Sequence, residues 1–134
     1  MDIDVHIERV KKGLSSKPWV VNVESPNIKR LSKGESRAIV KARLRFFDGS
    51  FLDIHERVDT NRCFPEYLTY SYQYIDKSGE QVFRYDDAPH HPEVDTFPHH
   101  KHVGPEDDER IVASQCPSHS EIFREINQYL TQVM

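Results

Sequence analysis

The sequence predicts an α+β fold: a single antiparallel sheet of five or six strands, built around two consecutive hairpins, with one helix from each end of the 134-residue chain. Three observations carry it. Apolar residues recur at helical spacing near both termini, and residues 36–59 and 67–86 alternate in the strand period around two glycine-containing turns. Only 37% of the residues are hydrophobic, enough for one thin core, and no repeat or linker divides the chain, so residues 1–134 read as one domain.

Residues 2–14 place Ile3, Ile7, Val10 and Leu14 in one stripe, with Asp2 or Asp4 available as the N-cap and Gly13 near the exit. His6, Arg9, Lys11 and Lys12 then fall mostly on the solvent side. Pro18 stops the helix, and residues 19–23 form a first strand ending at the turn signal Ser25-Pro26-Asn27.

The first hairpin alternates Ala38, Val40, Ala42, Leu44 and Phe46 against Arg37, Lys41, Arg43 and Arg45. A two-residue Asp48-Gly49 turn would set Leu44 opposite Asp53 and mix the faces. A three-residue loop, Phe47-Asp48-Gly49 with Gly49 left-handed, sets Leu44 opposite Leu52, Ala42 opposite Ile54 and Ala38 opposite Val58. The second register is the one expected, and it leaves a basic face with Arg43 opposite Asp53.

A second hairpin, residues 67–75 and 81–86, turns at Asp76-Lys77-Ser78-Gly79. A bulged three-residue loop there puts Tyr70, Tyr72 and Tyr74 on one face with Val82, Arg84 and Asp86, and Gln73, Ile75, Phe83 and Tyr85 on the other. The tyrosines read as strand residues packed with their hydroxyls at the rim rather than as a base-stacking platform. Residues 87–117 show no period apart from a short strand at Ile111-Val112-Ala113. Ser118-His119-Ser120-Glu121 is a capping box that opens a helix whose stripe is Ile122, Ile126, Tyr129 or Leu130, and Val133.

Composition narrows the setting. No run of about 18 apolar residues is present and Met1-Asp2-Ile3-Asp4 is acidic where a secretory signal is basic and then apolar, so a cytoplasmic protein without membrane contact is expected. Cys63 and Cys116 fit neither a disulfide framework nor a zinc motif and read as two small thiols. Residues 1–62 hold 13 Lys and Arg against 9 Asp and Glu, while the remainder holds 5 against 13. The basic half suggests contact with a polyanion, against the commoner case of a charged face that is simply solvated.

The chemistry concentrates in residues 84–102, which contain five of the eight histidines and three prolines. Cleaving an RNA phosphodiester through its own 2'-hydroxyl needs a base, an acid and cations for the charge gathering on phosphorus. His90 or His91 paired with His99, His100 or His102 supplies the first two; Arg84 and Lys101 supply the third, with Asp86 beside them. No built-in cofactor is expected. A divalent metal is the weaker alternative: His100 and His102 lie on one side of an extended backbone and Asp86, Asp87, Glu93 and Asp95 are near, but the spacing matches no tight motif. Purely structural roles also exist, with Arg84 pairing with Asp86, residues 99–102 neutralising the acidic run Glu106–Glu109, and His6, His55 and His119 needing no further role.

The run Val82-Phe83-Arg84-Tyr85-Asp86-Asp87-Ala88-Pro89-His90-His91-Pro92, followed by Thr96-Phe97-Pro98-His99-His100-Lys101-His102, resembles the signature of the TumE family of toxin components. Phe46-Phe47-Asp48-Gly49-Ser50 and the Pro117-Ser118 helix start are similar to that family's layout, with Asp87 standing where the family carries Asn. The resemblance implies a cytosolic toxin held inactive by an antitoxin that is often DNA-binding, and by analogy with other such toxins an attack on RNA, which would give Lys41, Arg43, Arg45 and Arg57 a purpose as phosphate contacts and makes a ribonuclease-like activity the first expectation. A non-enzymatic binding module docking through the Pro-His loop, and a metal-dependent hydrolase or nuclease, are the alternatives.

Overall fold

In the computed structural model, which describes residues 2–31, 36–61 and 66–132, two helices pack on one side of a seven-stranded sheet. Helix α1 (Ile3–Ser15) precedes strands β1 (Val20–Arg30), β2 (Arg37–Phe46), β3 (Phe51–Asp59), β4 (Glu66–Ile75), β5 (Gln81–Asp86), β6 (His100–Val103) and β7 (Arg110–Ala113), and helix α2 (His119–Gln132) follows. Each strand pairs antiparallel with the next in sequence. The sheet therefore has seven strands where five or six were expected. The addition is β6, whose His-Lys-His-Val alternation carries no apolar stripe for a hydrophobic pattern to reveal.

Helix α1 begins where Asp2 accepts the Asp4 and Val5 N–H groups at 2.8 and 3.2 Å, and buries Ile3, Ile7, Val10 and Leu14 as the spacing predicts. His6 does not face solvent; it is only 6% exposed. The strand after Pro18 does not end at Ser25-Pro26. It runs on to Arg30 through a bulge in which Ser25 has φ 47, tolerable because β1 is an edge strand with a free side for a missing N–H.

The first hairpin has the expected register, Leu44 with Leu52, Ala42 with Ile54 and Ala38 with Val58, and Gly49 takes φ 90. The second hairpin does not. Ile75 pairs with Gln81 as the turn requires, but Tyr74 pairs with Phe83, which leaves Val82 as an extra residue. That bulge exchanges the faces of the rest of β5: Phe83 and Tyr85 join the tyrosines of β4, whereas Arg84 and Asp86 pass to the opposite side with Gln73 and Ser71.

Both helices cover the face that carries Leu44, Leu52, Tyr74 and Phe83. Tyr72 and Tyr74 are fully buried there, each such ring contributing about 1.5–3 kcal/mol of apolar burial. Their hydroxyls end on Glu56 and, at 2.9 Å, on Ser50. The capping box is formed, Ser118 Oγ accepting the Glu121 N–H at 3.1 Å, and Ile122, Phe123, Ile126 and Leu130 enter the core. Cys63 and Val133 lie outside the described residues, and Cys116 is a half-buried free thiol whose pKa burial pushes up to about 11.

Candidate functional site

The face opposite the helices is exposed at Lys41 and His55 and buried at Asp86 and His100, and the strand register lays the polar residues of the sequence across it in rows. Lys41, His55, Ser71, Asp86 and His100 pair one after another across five strands; Arg43, Asp53, Gln73, Arg84 and His102 form the neighbouring row. The basic hairpin face and the histidines thus share one surface.

At the far end of these rows the side chains converge. His100 Nε2 lies 3.0 Å from Asp86 Oδ1, His102 Nε2 lies 3.2 Å from Asp86 Oδ2, and the two Nε2 atoms are 3.1 Å apart. Asp86 Oδ1 also accepts the Ala88 N–H at 3.0 Å, which starts the turn out of β5. Arg84 Nε stands 2.9 Å from Asp86 Oδ2, an ion pair whose angle does not make a hydrogen bond.

The strap between β5 and β6 returns His91 to this point. Val94 N–H to His91 O, Phe97 N–H to Val94 O and His99 N–H to Thr96 O fold it into successive turns, and Thr96 Oγ1 ties it to the Ser114 N–H at 2.8 Å. The Phe97–Pro98 peptide is cis. The His91 ring centroid then lies 4.9 Å from that of His100 and 5.6 Å from that of His102.

Each of the three rings is held from behind. His100 Nδ1 is 2.8 Å from the Pro98 carbonyl, His102 Nδ1 is 2.8 Å from Glu109 Oε1, and His91 Nδ1 is 3.0 Å from Glu93 Oε1. A carbonyl and two carboxylates accept, so the Nδ1 atoms donate. Partial burial works to raise the Glu109 pKa, but hydrogen bonds from Gln81 and His102 and the charge of Arg84 hold it below the usual range. Glu93 is held low by its own backbone N–H and by His91. One ring nitrogen from each of His91, His100 and His102 falls within 4.8 Å of the others, the one such group of potential metal ligands among the described residues.

The other expected site residues go elsewhere. His90 is exposed and outside the cluster. His99 turns to Tyr70, with Nδ1 3.0 Å from the hydroxyl and rings stacked at 5.8 Å. Lys101 is on the helix face, its Nζ 2.7 Å from Glu125, as alternation along β6 dictates. Asp87 accepts from Thr69 Oγ1 and the Tyr70 N–H, work an Asn carbonyl oxygen also does.

Of the candidate phosphate contacts, Arg43 is engaged by Asp53 at 2.7 Å and Arg45 by Glu24 at 2.9 Å, and both guanidinium groups stack on Phe51. Lys41 and Arg57 are exposed and form no ion pair among the described residues. With His55 they line a groove of about 260 Å³ that reaches Thr69 and Ser71, the residues beside Asp87 and Asp86.

Two features escape a reading of the sequence. Gln81, at the start of β5, donates 2.8 Å to Glu109 and so fixes the group that orients His102; the acidic run after Gly104 is the only hint of it. On the helix side, buried Glu56 receives His119 Nε2 at 2.6 Å and the Tyr72 hydroxyl, so His6 and His119 belong to a polar pocket between the helices rather than to the surface.

A family model described as Toxin TumE matches residues 11–134. No curated protein and no solved structure matches this chain.

Proposed function

This chain belongs to the TumE toxin family, and from that premise we propose that it is the toxin of a toxin–antitoxin pair and acts by cleaving RNA at the cluster of His91, His100, His102 and Asp86. The family implies an antitoxin partner; the proposal takes that partner to be DNA-binding and the setting to be the cytoplasm. Among the described residues no helix is long and apolar enough to cross a membrane.

One observation carries the reading: the cluster and the exposed cations Lys41 and Arg57 lie on one sheet face, joined by the row Lys41, His55, Ser71, Asp86 and His100. Adjacent strands are about 4.8 Å apart, so Lys41 on β2 and Asp86 on β5 are separated by roughly 14 Å, a few nucleotides of single-stranded RNA. Phosphates seated along the groove would lead a scissile bond to the histidines, where Arg84 offers charge from the rim.

The geometry supports one mode of action for the trio over another. An acid and a base on opposite sides of a phosphorus must be separated by two hydrogen bonds of about 2.8 Å and the phosphoryl oxygens between them. The ring nitrogens lie within 4.8 Å of one another, too close for that span. The three imidazoles therefore act from one side of the substrate as a unit.

The test is induced expression beside purified protein on RNA. Wild type is expected to arrest growth and degrade RNA, His91→Ala, His100→Ala and Asp86→Asn to relieve both, and His90→Ala and Lys101→Ala to leave both intact. Purified protein that arrests growth but leaves RNA whole overturns the reading and favours a docking module.

A further inference from the structure

We propose that His91, His100, His102 and Asp86 form a binding site for one first-row divalent transition metal ion, of which zinc is the reference case. The proposal concerns the same cluster as the RNA-cleaving reading but does not depend on RNA being the substrate.

The lone pairs of the cluster converge. With their Nδ1 protons committed to Pro98, Glu109 and Glu93, the neutral rings present unprotonated Nε2 atoms. The Nε2 atoms of His100 and His102 are 3.1 Å apart and 3.0 and 3.2 Å from the two oxygens of Asp86. Four electron-rich atoms thus meet where His100 is 1% and Asp86 4% exposed; the Ala88 N–H and Arg84 serve the carboxylate, while the two ring nitrogens face only it and each other. One metal ion answers all four lone pairs together.

The spacing suits such an ion. Zinc holds imidazole nitrogen at about 2.0–2.1 Å in tetrahedral geometry, which sets neighbouring ligand atoms about 3.3 Å apart. The separations of 3.0, 3.1 and 3.2 Å between His100, His102 and Asp86 already lie near that edge. His91, on the strap and more exposed than the other two rings, approaches from above.

The groups behind the ligands point the same way. Metal-binding histidines characteristically give their other ring N–H to a carboxylate or a backbone carbonyl, which fixes the tautomer and the ring plane. All three rings here do so, and Gln81 in turn holds Glu109. A set of imidazoles with one carboxylate suits zinc, iron or nickel better than magnesium or calcium, which take oxygen.

The role follows from the class. Three rings and one carboxylate would fill a tetrahedral ion, so a water or phosphoryl oxygen would enter as a fifth ligand or in place of the more exposed His91, and the ion would there acidify the water or polarise the oxygen. Glu109 acts as a positioning residue, touching His102 and not the ion.

The experiment is metal analysis of the wild-type protein purified without chelator or immobilised metal, followed by chelation and titration with Zn²⁺ and with Co²⁺. About one ion per chain, or uptake of one Co²⁺ with a d–d absorption of tetrahedral strength, is the expected result. His100→Ala and His102→Ala lose the ion, Glu109→Gln weakens it by about 10–100-fold, and His90→Ala and His99→Ala keep it. Because the Co²⁺ spectrum is read on wild type, a variant that fails to fold does not decide the matter. A folded wild-type protein that takes up neither Zn²⁺ nor Co²⁺ stoichiometrically overturns the site. Metal bound with RNA untouched would retain the site and sink the RNA reading; RNA cleaved at full rate by chelated protein would retain the RNA reading and overturn the ion's part in it.

Discussion

Asp86 and His100 stand opposite each other in the β5–β6 ladder, and His100 Nε2 reaches Asp86 Oδ1 at 3.0 Å across it. The site is thereby built on paired strands rather than on the loop, and its precision comes from the sheet register. Only His91 is delivered by the strap.

Asp86→Asn is the closest probe of that relationship. The amide can still accept the Ala88 N–H but removes the charge that His100, His102 and Arg84 share. The expected outcome is a folded protein, by circular dichroism, whose RNA cleavage falls about a hundredfold or more. Full activity in the folded variant would remove Asp86 from the reaction.

Deleting Val82 tests the bulge that brings Arg84 and Asp86 to the face opposite the helices. Without the extra residue Gln81 adjoins Phe83, so the pairs Ile75–Gln81 and Tyr74–Phe83 follow in regular register and Arg84 and Asp86 keep their face. The deletion is expected to keep activity and a cooperative thermal transition, at a melting temperature lowered by the loss of a side chain packed against the core, as Val82→Ala also loses it. A folded deletion variant without activity would show that the local twist of the bulge, and not the strand pairing alone, aims Arg84 and Asp86.

That bulge also marks the limit of what the sequence discloses. The first hairpin is legible because apolar residues on one face and charged residues on the other make a one-residue slip costly. In β5 both faces alternate between aromatic or aliphatic and polar residues, Val82 and Tyr85 included, so pattern alone does not reveal a slip. Residues 84–102 stand out by composition, and His100 and His102 fall on one side as expected. Which of the five histidines converge depends on turns within the strap and on β6 pairing with β5, both set by long-range contacts.

Lys41 and Arg57 lend themselves to a charge-reversal test. Both are exposed on the groove and form no ion pair among the described residues, so Lys41→Glu with Arg57→Glu should leave the fold unchanged. Binding of single-stranded RNA is expected to weaken, and the slope of log K against log salt to fall by roughly 1–2, about 0.7 for each phosphate no longer neutralised. The measurement is fluorescence anisotropy at several salt concentrations. An unchanged slope would place the RNA elsewhere.

His99 separates structure from chemistry within the histidine run. It accepts or donates at the Tyr70 hydroxyl and stacks on that ring, away from Asp86. His99→Ala is expected to cost about 1 kcal/mol in denaturant unfolding, the worth of one ordinary hydrogen bond, with cleavage per folded molecule unaltered. A loss of cleavage in the folded variant would return His99 to the site.

His6 governs an acid-side dependence of stability. It is 6% exposed, its Nε2 has no hydrogen-bond partner among the described residues, and it faces Glu56, His119 and Arg9. Burial lowers its pKa from 6.5; attraction to Glu56 opposes this, and His119 and Arg9 add to it. A group whose folded pKa is depressed leaves stability intact above the unfolded value of 6.5. As pH falls below that value the unfolded chain takes the proton first, and the loss is complete once pH has passed the folded pKa. His6→Phe keeps a ring in the pocket and removes the titration. The wild-type melting temperature is therefore expected to drop by a few degrees more than that of His6→Phe between pH 7 and pH 5, with the two curves running parallel above pH 7. Equal slopes on the acid side would mean that His6 is protonated in the fold, with Glu56 outweighing its burial.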